Sequence, residues 1–137
     1  MPDNNNRELV AIDETVHETY KQLTEGSDAI SAPFRTMKDV FMWAAFLGYQ
    51  QGIRRKLEGK RVSIFRWAQF SLETDIPLLK ALAIVEDGVE SLQSQDKILI
   101  IAEEYANAGI HELQAAVLGR SGQQLWNLVS ILEPKDE

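Results

Sequence analysis

Four groups of residues in this chain have types and spacings that could do chemistry. Glu14 and His17 form a Glu-x-x-His pair, the spacing with which di-iron bundles hold metal. Such a site needs a second pair from another helix, and the only other histidine, His111, has Ala108 at the matching position. Asp13, Glu14, His17 and Glu18 are therefore read as the wet side of an amphipathic helix. Glu103 and Glu104 could divide the roles of acid and base if their surroundings drove the two pKa values apart. Adjacent helical residues point about 100° apart, so a structural ion pair with Arg or Lys is the reading for these carboxylates. Gly119, Arg120, Ser121 and Gly122 have the Gly-x-x-Gly spacing of the KH backbone clamp, but a helix stop, a turn and the next N-cap explain the same four residues.

The fourth group is the most informative. Residues 54 to 66, RRKLEGKRVSIFR, gather six Lys or Arg and one Glu in a chain whose formal net charge is −7. Up to Arg66 the chain carries ten basic and nine acidic residues; from Trp67 onward it carries four and twelve. A local positive field on an acidic body can attract polyanions that the whole molecule repels. Gly59 and the interleaved Phe65 and Trp67 suit a loop lying along phosphates or an acidic partner surface. The candidate nucleic-acid or partner-binding residues are Arg54, Arg55, Lys56, Lys60, Arg61, Arg66 and Trp67. The competing explanation is solubility together with cations placed beyond a helix C-terminus, where they complement the dipole.

The remaining composition narrows the classes. The chain has no cysteine, which removes disulfides, thiolate zinc sites and cysteine nucleophiles, and a reducing cytoplasm is the expected setting. No Gly-x-Ser-x-Gly elbow, P-loop or His-Glu-x-x-His occurs. The expectation is a non-catalytic protein with no cofactor and no metal. The longest apolar run, Val40 to Leu47, is far short of the ~20 residues that span a bilayer, so no membrane partner is expected. The length of 137 residues suits one domain, with residues 1–6 and 134–137 expected as disordered ends.

Helical periodicity dominates the elements that must position these groups. Leu9, Ile12, Val16, Tyr20 and Leu23 form one stripe, with Gly26 as its stop and a loop over Ser27 to Pro33. Thr36 and Asp39 match a capping box opening a helix from Met37 to Tyr49 that is apolar nearly all round, with Gly48 and Gly52 as stops. Residues 57–72 fit a short strand through Val62 and Ile64 or a helix opened by Ser63; a loop entering a helix is favoured. Asp75 and Pro77 start a helix stopped by Gly88. Others are expected from Ser94 to Asn107 with Gly109 as its stop, from Ile110 to Gly119, and after the Ser121 and Gln124 capping box. The expected fold is all-α, a single-domain irregular bundle of about six or seven helices.

Residues 32–67, APFRTMKDVFMWAAFLGYQQGIRRKLEGKRVSIFRW, and 101–113, IAEEYANAGIHEL, carry a resemblance. Together they resemble the fourth numbered class of small proteins associated with DNA phosphorothioation (Dnd) systems. The resemblance reaches from Ala32 to Leu113, and Asn4 to Gly26 reads as this protein's own elaboration. It implies a setting beside systems that replace a backbone phosphate oxygen with sulfur and use the mark in host defence, and it supplies no catalytic residue. The first functional expectation is thus a non-catalytic accessory protein of a DNA sulfur-modification or linked restriction system. Its expected partners are other proteins of that complex, and DNA through the basic loop. The alternative is a homo-oligomeric regulator or adaptor whose apolar helix near Trp43 is completed by another copy. A third reading, a hydrolase using Glu103 or Glu104, requires a cleft and a metal.

Overall fold

A computed structural model describes residues 7–25 and 34–118. Its described elements are strand β1 (Leu9–Asp13), helices α1 (His17–Thr24) and α2 (Met37–Gln51), strand β2 (Arg61–Arg66), and helices α3 (Asp75–Asp87) and α4 (Gln95–Leu118), linked by short 3₁₀ turns. The expectation of six or seven helices and no sheet is corrected: the described chain has four α-helices and a two-stranded antiparallel ribbon. The helix expected after Ser121 and the Gly119 to Gly122 turn lie outside the described residues, as do Gly26, the Ser27 to Pro33 loop and both termini.

Three local readings change for physical reasons. The stripe starting at Leu9 belongs to a strand up to Asp13, because Val10 and Ile12 pair with Phe65 and Val62 of β2 and share its buried face. β-branched residues fit that pleated, half-buried setting. Residues 61–66 form the partner strand, followed by a 3₁₀ turn over Trp67–Gln69 rather than a helix opened by Ser63. Finally, α4 runs unbroken through Gly109, which does not stop it.

Gly109 is there for close approach. A Cβ at that position would lie 1.8 Å from the carbonyl oxygen of Ala44, and one at Gly48 would lie 2.1 Å from that of Tyr105. Pairing 44 with 109 and 48 with 105 means that α2 and α4 run antiparallel with their backbones nearly touching. Around this contact Phe41, Ala45, Leu47, Ala102, Ala106 and Ile110 are buried. Gly48 therefore also serves packing rather than termination, and Gly52 ends α2 in the left-handed conformation at φ 72°. The Thr36 cap is present, its hydroxyl oxygen accepting from the Asp39 N–H. Asp75 is the first residue of α3, and its carboxylate accepts from the Ser71 N–H and binds Lys38.

The ribbon contains one irregularity that matters for the surface. Leu9 pairs with Arg66 and Val10 with Phe65, but Ala11 pairs with Ser63, so Ile64 is an extra residue on β2. Strict alternation would send Arg61 and Arg66 to opposite faces. The bulge resets the phase, burying Phe65 and exposing Arg61, Ser63 and Arg66.

Candidate functional site

The basic segment leaves α2 at Gly52 and crosses α4, where its backbone is fixed at several points. The Arg55 N–H donates to the Glu104 carbonyl at 3.0 Å. The Asn107 side-chain amide donates to the carbonyls of Arg55 and Lys56, both at 3.1 Å. Further on, the Gly59 N–H donates to the Asp13 carboxylate at 2.9 Å, and the Glu14 N–H to the Lys60 carbonyl at 2.8 Å. Hydrogen bonding from the Thr15 N–H, then from Gly59, holds the Asp13 carboxyl below its ordinary value. The loop backbone is thus tied on both sides while the side chains of Arg55, Lys56 and Lys60 remain outside.

The six cations fall into three states of pairing. Arg54 is consumed internally: its guanidinium donates to Glu104 through Nε and Nη2 at 3.0 and 2.8 Å and pairs with Glu86 at 3.4 Å. It also lies 5.9 Å from the centre of the Tyr105 ring. The Tyr105 hydroxyl donates to Glu86, and burial followed by that hydrogen bond pushes its pKa up to about 12. Arg61 reaches Glu103 at 3.6 Å but keeps 52% of its side chain exposed. Arg55, Lys56, Lys60 and Arg66 are exposed and make no ion pair among the described residues.

Glu103 and Glu104 are both structural. Glu103 is 2% exposed and accepts from the Arg7 guanidinium at 2.6 and 3.0 Å and from the Ala11 N–H at 2.9 Å. It ties β1 to α4 by occupying a backbone donor that faces away from β2. The nearby Tyr20 hydroxyl is fully buried without a hydrogen-bond partner among the described residues; burial, then the Glu103 charge, drives its pKa upward. Asp13 is buried rather than on a wet helix face, whereas Glu14 and Glu18 are exposed. Among the described residues no three His, Asp or Glu side chains converge as a metal-binding group.

The outer face of the ribbon forms the floor of an open groove of about 760 Å³, whose lining includes Arg7, Arg61, Ser63, Arg66, Leu9 and Ile100. A second depression of about 310 Å³ continues past Glu8 and Arg66 to Trp67 and Gln95. Trp67 is half-buried, its ring edge-on to Phe70 at 5.4 Å. The structure therefore brings Arg61, Arg66 and Trp67 together, separates Arg54 into its own ion-pair cluster, and adds Arg7, Ser63 and Asn107, which the sequence reading missed. The alternation phase of β2 was the one signal available for Ser63. Nothing local marked Arg7 or Asn107.

A model of the family described as DNA sulphur modification system-associated protein 4 matches residues 10–137. The chain belongs to that family. No curated protein and no solved structure matches it. The family match begins at Val10, so most of the segment expected to be this protein's own elaboration falls within it. The DNA sulphur modification-associated segment includes both clamps on the basic loop, at Asp13 and Asn107, while Arg7, Glu8 and Leu9 precede it. No helix among the described residues is long and apolar enough to cross a membrane.

Proposed function

We propose that the protein is a non-catalytic accessory component of a DNA sulphur modification system, touching the DNA backbone through β2 and the loop before it. It joins other proteins of the system in doing so. The observation that carries this reading is the state of the basic loop: its backbone is pinned by Glu104, Asn107 and Asp13, yet Arg55, Lys56, Lys60 and Arg66 are exposed and make no ion pair among the described residues. A fixed backbone carrying free cations lowers the ordering cost of binding, and contacts of this kind position a protein on DNA without reading bases. Association is limited to this face because the rest of the chain is acidic.

Salt dependence tests the reading. Four or five phosphate contacts give log affinity for a duplex a slope of about −4 against log salt concentration. A slope near zero, or no binding at about 50 mM salt, would remove it.

The alternative, a homo-oligomeric adaptor, is favoured by one observation of its own. Met42, Phe46, Tyr49, Leu78, Leu82 and Val85 line an apolar groove of about 190 Å³ between α2 and α3. Phe46, Leu78 and Val85 are exposed there, and contiguous apolar surface of this kind marks contact sites. Light scattering decides it: a dimer that Leu78→Glu dissolves supports the adaptor, and a stable monomer removes it.

A further inference from the structure

We propose that the groove beside Arg66 prefers a phosphodiester in which sulfur replaces a non-bridging oxygen, an inference that rests on the DNA-contact reading above. Apolar side chains placed among the cations are the reason. Leu9 stands opposite Arg66 in the ribbon register and is 47% exposed, and Ile100 of α4, lining the same groove, is 39% exposed. By contrast Val10 and Ile12, next along β1, are 0% and 4% exposed. The Ile64 bulge creates this juxtaposition, since it sets Arg66 on the face that carries Arg61 and Ser63.

A sulfur-substituted diester keeps one negative charge, but its sulfur is larger and more polarisable than oxygen and a poorer hydrogen-bond acceptor. The sulfur shares that charge but is weakly hydrated, and it is soft and polarisable as thioether sulfur is. Contact with Leu9 and Ile100 removes weakly hydrated surface from water. An oxygen in the same place loses hydration and gains no partner. Arg66 meets the charge, and the Ser63 hydroxyl is available to the remaining oxygen. Arg7 is held by Glu103 and positions the strand, its Nη2 donating to the Leu9 carbonyl at 3.3 Å. Glu8 also lines the groove; its charge opposes both diesters alike, so it weakens binding without affecting the choice between them.

The test compares, by fluorescence anisotropy on the full chain, a short duplex carrying one phosphorothioate with the same duplex carrying phosphate. Each sulfur configuration is measured separately. Burying one weakly hydrated, sulfur-sized surface in place of a strongly hydrated oxygen gives the better configuration an advantage of about three- to tenfold. Leu9→Ser combined with Ile100→Ser should bring that ratio to one, with circular dichroism at the assay temperature showing that the variant is folded. Glu8→Gln should tighten both duplexes by the same factor. Equal binding of the two duplexes by the wild-type chain overturns the sulfur preference and leaves the DNA-contact reading standing, whereas binding of neither overturns that reading as well. A preference that survives the double substitution also overturns the role given to Leu9 and Ile100.

Discussion

Glu103 accepts the backbone N–H of Ala11 at 2.9 Å, so one buried carboxylate of α4 closes the open edge of β1. The same group receives Arg7 through two hydrogen bonds and approaches Arg61, and it therefore fixes the ribbon that carries the basic surface. Glu103→Ala leaves a backbone donor and a partly buried guanidinium without their acceptor, at a cost of about 3 kcal/mol. Glu103→Gln, which keeps an acceptor oxygen, should cost about half as much. Urea unfolding midpoints measure both, and an alanine variant within about 0.5 kcal/mol of wild type would contradict the role, being the range of ordinary surface substitutions.

Gly48 and Gly109 hold α2 and α4 at backbone contact. A methyl group at Gly109 would meet the Ala44 carbonyl at 1.8 Å and the Gly48 nitrogen at 2.6 Å. Backbone cannot yield as a flexible side chain does, so Gly109→Ala should destabilise by about 3 kcal/mol. Gly52→Ala is the control: open space surrounds it, and only the strain of φ 72° opposes the change, at a cost of about 1 kcal/mol. Melting curves that rank these two substitutions the other way would contradict the packing.

The difference between those glycines shows what sequence could and could not tell. Thr36, Gly52 and Gly88 marked the ends of α2 and α3 because capping is local chemistry. Gly109 looked like a stop, and only the opposing helix reveals it as a point of close approach. The Val62 and Ile64 alternation is visible in the sequence, but the loop entering a helix favoured there is wrong, because β1, some fifty residues earlier, supplies the strand partner. The cluster of cations was legible as composition. Which of them are free was not, since Arg54 is neutralised by Glu86 and Glu104 from later elements.

Asp13 links acid stability to the basic loop. Its carboxyl sits below the ordinary value of 3.8 because the Thr15 and Gly59 N–H groups favour the charged form. The stabilisation it gives is complete above that ordinary value and is lost as pH falls through the lower folded one. Asp13→Asn keeps one acceptor oxygen but turns an NH2 group toward a backbone N–H of Thr15 or Gly59, so it should cost about 1 kcal/mol at neutral pH and should flatten stability against pH in the acid range. Carboxyl titration followed by NMR checks the sign, and an Asp13 pKa above 3.8 would contradict it.

The most direct measurement is duplex affinity of a chain carrying Arg55→Glu, Lys60→Glu and Arg66→Glu, three exposed cations without an ion pair among the described residues. Binding should fall by at least about a hundredfold at low salt, each lost phosphate contact removing its share of counterion release, while the melting temperature remains that of wild type. Unchanged affinity in a fully folded triple variant would contradict the assignment of this surface to DNA.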